Sequence, residues 1–361
     1  MKVGIVGLPN AGKSSLFNAL TRAGAPVAGY AFTTVEPNVA VVSVPDERLD
    51  RVAEVVDAKP IVPETIEFRD IAGLVRGAHR GEGLGNRFLS HIRETDAFVH
   101  LVRAHEDAQV PHPEGKVDPV ADAEAVEAEL LLADLEQAER RLERVVREAR
   151  SGAKEAIAEE SWLREVVEAL GAGRRVATVP PPEAAPDALR KLSPLTAKPV
   201  LYVANVAEGD ALEPPASLVE HARSAGARST AVSARLEAEL AELEPDDAAA
   251  MREDLGVHES GLDRVVREAF ALLDLITFFT ADRDAEARAR AIRRGTPARR
   301  AAGAVHTDME RGFVAAEIVP WRDLVEAGGY SAARERALLR VEGRDYVIQD
   351  GDVATFRFTP A

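Results

Sequence analysis

The sequence predicts an α/β protein built on a parallel sheet that binds nucleotide phosphates, with a helical hairpin inserted into it and a smaller strand-rich domain behind it. Three observations predict it. Met1-Lys2-Val3-Gly4-Ile5-Val6 reads as a short buried strand and runs into Gly7 to Ser15, GLPNAGKSS, after which Leu16, Phe17, Ala19 and Leu20 continue at helical spacing. A second strand runs into Asp70-Ile71-Ala72-Gly73, at the distance where the other half of a triphosphate site belongs. Beyond Asp118, Ala128, Leu131, Leu135, Ala138, Leu142, Val145 and Ala149 repeat at steps of three and four, the seam of a long helix.

Composition sets the bounds. The chain of 361 residues is long enough for two or three domains, and with 46% apolar and 29% charged residues it belongs to the soluble globular class. No apolar run approaches the roughly 18 residues of a membrane span, and the first strand begins at once, so no signal peptide is expected. Cysteine is absent, which excludes disulfides and thiolate metal sites and fits a cytoplasmic location. A net charge of −16 argues against bulk attraction to DNA or anionic lipid, so any contact with RNA must be a local patch.

Each segment then follows from its chemistry. Gly7 and Gly12 let the first turn curl its N–H groups inward around a phosphate, at the positive end of the next helix. Lys13 reaches the outer phosphates, and the Ser14 hydroxyl is placed to ligate Mg2+. The Gly- and Pro-rich stretch Ala25 to Asn38 is a loop that offers a threonine to the same ion, Thr34 first and Thr33 as its rival. A strand over Val39 to Val44 and a helix over Asp46 to Val56, opened by Pro45-Asp46, come next.

Glu64 to Arg69 alternates as a strand and delivers Asp70, a carboxylate to hold the ion through water, and Gly73, an N–H for the terminal phosphate. Leu74 stands where a Ras-like enzyme carries the glutamine that orients water, and it has no hydrogen-bonding group. Arg76 to Asn86, rich in Gly and charge, is the natural switch loop. Ala97 to Val102 is a buried strand in which His100 reads as a hydrogen-bonded core residue. His105 and His112 lie in the following loop. Either can place water, and the prolines on both sides of His112 favour it.

Lys154 to Leu170 pairs against the long helix to make an antiparallel hairpin that projects from the sheet, and the proline-rich stretch from Pro180 closes the insertion. The strand Pro199 to Ala204 ends in Asn205-Val206-Ala207-Glu208, where guanine-reading proteins carry NKxD; lysine and aspartate are both missing. Adenine offers an acceptor at N1 and a donor at N6, so a backbone carbonyl near Asn205, Val206 or Glu208 suits it, and ATP is expected to bind at least as well as GTP. Ser229 to Val232 leads to Ser233-Ala234, a small-residue loop behind the base. From Leu275 onward, strands are expected at Ile276 to Thr280, Phe313 to Ile318, Tyr346 to Ile348 and Val353 to Phe358, with helices over Asp284 to Arg294 and around Pro297 to Ala302. Residues 283–300 hold seven arginines and two acids on an otherwise acidic chain, a candidate RNA-facing patch.

GLPNAGKSS, FTTVEPN, DIAGLVRGAHRGEGLGNRFLSHIRETDA, EGKVDP, NVAE, SARLEAEL and the C-terminal DYVIQDGDVATFRF together resemble the YchF type of Obg-like ATPase, over nearly the whole chain. The resemblance implies a nucleotide domain at 1–117 and 195–272, a helical insertion at 118–194 and a TGS domain of β-grasp type at 275–361. It puts nucleotide contacts on Asn10, Ala11, Gly12, Lys13, Ser14, Ser15, Asn205, Val206 and Glu208, and Mg2+ on Ser14 and Thr34. It further implies slow ATP hydrolysis and a ribosome partner, reached with ribosomal RNA through the TGS domain and the hairpin. A metabolic kinase acting on a small substrate is the competing class, but no lid or acceptor pocket is evident.

Overall fold

The computed structural model describes residues 1–24, 38–71, 84–209, 212–257, 259–283 and 285–359. Its strands, in chain order, are β1 (Lys2–Val6), β2 (Val39–Ser43), β3 (Ile61–Val62), β4 (Thr65–Asp70), β5 (Ala97–Arg103), β6 (Val200–Asn205), β7 (Arg228–Val232), β8 (Leu275–Thr280), β9 (Ala287–Arg293), β10 (Phe313–Pro320), β11 (Arg340–Glu342) and β12 (Asp352–Phe358). They make two six-stranded sheets. The chain divides into two units, the first made chiefly of Met1–Ala23 and Glu67–Ala269, the second of Val41–Ile66 and Phe270–Ala361. Residues 118–194 fall inside the first unit. Residues 41–66 group with the second by their contacts, although β2 and the start of β4 are strands of the first sheet.

The first sheet runs β2-β4-β1-β5-β6-β7. β5 and β6 are buried along their whole length, the pattern of strands covered on both faces, and β1, β4, β5, β6 and β7 pair in parallel. Register decides where their ends fall. Ile5 pairs with Asp70, Val6 with His100, Arg103 with Asn205, and Asn205 with Val232. The loops after these five strands therefore open on one edge, where parallel sheets bind ligand. His100 is fully buried, but its Nε2 has no hydrogen-bond partner, contrary to expectation; the ring packs against Tyr202 at 5.5 Å, and burial lowers its pKa to about 4, which keeps it neutral.

The long helix spans Pro119–Ala149, with Asp118 as N-cap accepting from the Ala121 N–H and Pro119 in the first turn. It has two faces in succession. Ala123, Val126, Leu130 and Ala133 enter the core of the sheet, so Ala128, expected on the seam, is exposed. Ala138 and Val145 then pack with Trp162, Leu163 and Val166 of the helix Lys154–Gly171, forming a separate small core for the hairpin. Asp134 ties the hairpin's return to the helix, accepting from the Leu195 and Thr196 N–H groups and the Thr196 hydroxyl at 2.8 Å each.

The second sheet runs β11-β10-β12-β8-β9-β3. The expected helix over Asp284 to Arg294 is instead β9, antiparallel to β8. Ala and Arg favour helix in isolation, but ARARA alternates at period two and buries Ala287 and Ala289 on one face of the sheet, while Ile292 enters the core on the other face, and tertiary pairing overrides propensity. The expected strand at Tyr346 to Ile348 contributes a single bridge from Val347 to Pro297, while Arg340–Glu342 supplies the edge strand that was not foreseen. The helix Glu47–Val56, capped by Asp46, inserts Leu49, Val52, Ala53 and Val56 among Phe279, Val319, Leu324, Ala333 and Val353. Among the described residues no helix is long and apolar enough to cross a membrane.

Candidate nucleotide-binding site

The turn after β1 is held in conformations that ordinary residues avoid. Asn10 has φ 63° and Gly12 φ 97°, and a Cβ on Gly12 would lie 2.3 Å from Asn205 Nδ2. Gly7, at φ 154°, faces the Leu101 carbonyl oxygen, which a Cβ would approach to 2.3 Å. The helix Lys13–Ala23 begins at once, with no acidic residue in its first turn, so its N–H groups are left for an anion.

Lys13 folds back over this turn, its Nζ donating to the Leu8 carbonyl at 2.8 Å, and only 8% of the residue is exposed. Burial lowers its pKa to about 8, with the charge of Asp70 acting in the other direction. Asp70 is the counterpart: burial raises its pKa and Lys13 lowers it. Each charge is costly where it stands. A phosphate beside Lys13 and a hard cation beside Asp70 and the exposed Ser14 hydroxyl relieve both costs, so the donor set fits a magnesium nucleotide. Among the described residues no group of three His, Cys, Asp or Glu side chains is gathered to hold a metal by itself.

A cavity of about 870 Å3 extends from Asn10, Gly12, Lys13, Ser14 and Ser15 to Asn205, Val206, Ala207 and Glu208, with Ser233, Ala234 and Arg235 on its far wall. Asn205 is the brace between these walls. Its Nδ2 donates to the Ala11 carbonyl at 3.0 Å and its Oδ1 accepts from the Ala234 N–H at 3.1 Å, so its side chain serves the scaffold. Ser233 caps the helix Ala234–Leu240 by accepting from the Leu236 N–H. Val206 is buried and Glu208 exposed at the rim.

Sequence reasoning missed Arg103. It is 2% exposed at the end of β5, and its guanidinium donates to the carbonyls of His105, Val110 and Asp107, moulding the loop that forms one wall of the cavity. A charged residue directly after an apolar strand was the available signal. His105 lines the cavity. Its Nδ1 lies 2.9 Å from the Asn205 carbonyl, which only accepts, so Nδ1 carries the proton. That carbonyl also accepts the Ala104 N–H at 2.9 Å, so an acceptor for an adenine amine must come from Val206 onward.

His112, preferred over His105 on sequence, is not among the cavity-lining residues. Its Nε2 meets Asp122 Oδ2 at 2.9 Å and its Nδ1 accepts from the Glu114 N–H at 3.2 Å, so both ring nitrogens are taken. Its neighbour Pro111 nonetheless touches the phosphate turn, where the Asn10 side chain donates to the Pro111 carbonyl at 3.1 Å. Thr33, Thr34, Gly73 and Leu74, with the loop from Arg76 to Gly83, lie outside the described residues.

A phosphate turn between a buried parallel strand and a helix N-terminus, a lysine desolvated inside it and a carboxylate from the adjacent strand define a P-loop nucleoside triphosphatase. A family model described as "50S ribosome-binding GTPase" matches residues 2–142, and the C-terminal model of the YchF GTPases, described as "Protein of unknown function (DUF933)", matches residues 275–359. The chain is 46% identical over 363 residues to the "Ribosome-binding ATPase YchF" of Bacillus subtilis (strain 168), covering 99% of both chains, and 40% identical to "Obg-like ATPase 1" of Oryza sativa subsp. japonica, covering 99% of this chain and 92% of the relative. The solved structure of the Schizosaccharomyces pombe YchF GTPase superposes with a TM-score of 0.86 at 35% identity, covering 99% and 97% of the two chains. The chain belongs to the YchF family.

Proposed function

We propose that the protein is a Mg2+-dependent ATPase, taking ATP at least as well as GTP, that hydrolyses slowly and serves as a nucleotide-dependent switch on the ribosome. One observation carries the base preference. The cavity joins the phosphate turn to Asn205-Val206-Ala207-Glu208, which lacks the lysine and aspartate of a guanine site and keeps its carboxylate, Glu208, at the exposed rim. The carbonyls from Val206 onward suit the N6 amine of adenine. The names of the bacterial relatives, ribosome-binding ATPases, point the same way.

In this reading the N–H groups from Asn10 to Ser15 cradle the phosphates, and Lys13 regains its full charge against them. The ion would be held by Ser14, by Asp70 through water and by Thr34, and it supplies charge neutralisation on the outer phosphates. The Gly73 N–H meets the terminal phosphate. Leu74 orients no water; His112, the histidine favoured on sequence over His105, is assigned that task once its ring leaves Asp122, and unassisted turnover is slow. Ser233 and Ala234 pass behind the base. Residues 275–361, read as a TGS domain, and the hairpin make the contacts to ribosomal RNA, and the protein works in the cytoplasm.

The test is binding and turnover of ATP and GTP by the purified protein, with and without ribosomes. ATP at least equal to GTP, slow phosphate release and acceleration by ribosomes are expected, and Val206→Lys with Glu208→Asp should move the preference toward GTP. GTP tighter than ATP by tenfold, about 1.4 kcal/mol, overturns the base reading. Transfer of the phosphoryl group to a small acceptor would favour a kinase.

A further inference from the structure

The loop beside the phosphate turn contains a buried histidine–carboxylate pair whose carboxylate the proposed hydrolysis does not use. His112 and Asp122 each keep only 5% of the side chain exposed, and Nε2 and Oδ2 are 2.9 Å apart. The Glu114 N–H points at Nδ1, so Nδ1 is an acceptor and the ring proton sits on Nε2, donated to the carboxylate. A ring in this state has no nitrogen left for a water molecule. The segment is nonetheless within reach of the nucleotide, because the residue before His112 offers its carbonyl to Asn10.

The partner is equally informative. Asp122 lies in the first turn of the helix Pro119–Ala149, its own N–H bonded to the Asp118 carbonyl at 2.9 Å, so its place is fixed by the helix and not by the loop that carries His112. The far half of that same helix builds the hairpin. A shift of the helix by much less than one turn is enough to separate two atoms at hydrogen-bond distance.

We propose that Asp122 is a latch: it holds His112 with both ring nitrogens occupied, away from the phosphates, and movement of the hairpin helix releases the ring to position water. The proposal rests on the reading of His112 given above. Asp122 touches no nucleotide and is a positioning residue, acting through His112 alone.

Single-turnover phosphate release from ATP by the full-length protein tests it. Asp122→Ala should speed release about tenfold or more, the population shift expected when a hydrogen bond to a charged group is lost. Asp122→Asn removes the same charge from the helix N-terminus but keeps an acceptor for Nε2–H, and should give a smaller gain of about threefold. His112→Ala should be slower than wild type, and the double variant no faster than His112→Ala. If Asp122→Ala fails to fold, Asp122→Ser carries the same expectation, since its hydroxyl stops one bond short of the ring. Slower or unchanged release in Asp122→Ala, with a slow His112→Ala, overturns the latch and leaves the role of His112 standing. A gain that survives in the double variant also overturns it. Unchanged release in His112→Ala removes His112 from the reaction, and the latch with it.

Discussion

Asn205→Asp changes one donor into an acceptor and almost nothing in shape. The wild-type side chain is buried, donating to the Ala11 carbonyl and accepting from the Ala234 N–H at 3.0 and 3.1 Å. Aspartate keeps the second bond and turns the first into oxygen against oxygen. An unmade buried hydrogen bond costs about 1–3 kcal/mol, and the new charge lies beside the turn that must receive phosphates, in a medium that screens it poorly. The affinity for ATP should fall at least about 30-fold, roughly 2 kcal/mol. Asn205→Ala loses both bonds but adds no charge, so the order of affinity should be wild type, Ala, Asp. Titration with a fluorescent ATP analogue at pH 7, alongside thermal melts to separate binding from stability, reads this order directly. Aspartate binding as tightly as asparagine would refute the bracing role. The same geometry makes Gly12→Ala non-additive with Asn205→Ala, because the new Cβ strikes the Nδ2 that the second change removes.

Two further expectations concern charge. In the nucleotide-free protein Lys13 titrates near pH 8 because it is buried, whereas the unfolded chain holds that proton to about pH 10.5. Between these values the unfolded state binds more protons, so this group's contribution to stability rises with pH through that window. Phosphate restores the charge, so ATP binding above pH 8 should take up a proton and weaken as pH rises. Calorimetry in two buffers of different ionisation heat measures the uptake, and Lys13→Ala should abolish it. On the second unit, Arg288, Arg294 and Arg300 face Glu286, Asp274 and Glu310, whereas Arg293 is exposed at the end of β9. Arg293→Ala should therefore reduce the salt slope of ribosome binding by about one, more than Arg294→Ala, with ATP affinity intact. An unchanged slope in co-sedimentation counts against the patch.

The nucleotide site was legible because its chemistry is local: glycines for positive φ, a lysine and a serine next to them, and strand ends that the parallel register brings to one edge. What stayed hidden depends on contacts far apart in sequence. Nothing near Asn205 says that its amide spans from Ala11 to Ala234, and nothing near Arg103 names the three carbonyls it gathers. The prolines beside His112 do not say where its loop folds, and the ring partners of His105 and His112, the Asn205 carbonyl and Asp122, are set by other elements. β9 was misread because Ala and Arg favour helix while its alternation pointed to strand. The long helix was read correctly in length of seam but not in its first turns, where the sheet, not the second helix, takes the apolar face.

The helix Glu47–Val56, with Ala58 just beyond it, completes a core whose other buried members are made from residue 279 onward, and strand β3 pairs with β9 of the same unit. On the ribosome that makes this chain, Leu49, Val52 and Val56 emerge some 220 residues before Phe279, a wait of roughly 10–45 s at about 5–20 residues per second. Throughout that interval the helix lacks the partners that cover its apolar face, while Asp70 and Asn205 join Lys13 in the emerged chain before Phe279 appears. A C-terminal piece starting at 275 would in turn lack the helix that fills its centre. The second unit thus combines a helix made early with strands made last, so it can reach its final packing only when translation is nearly complete.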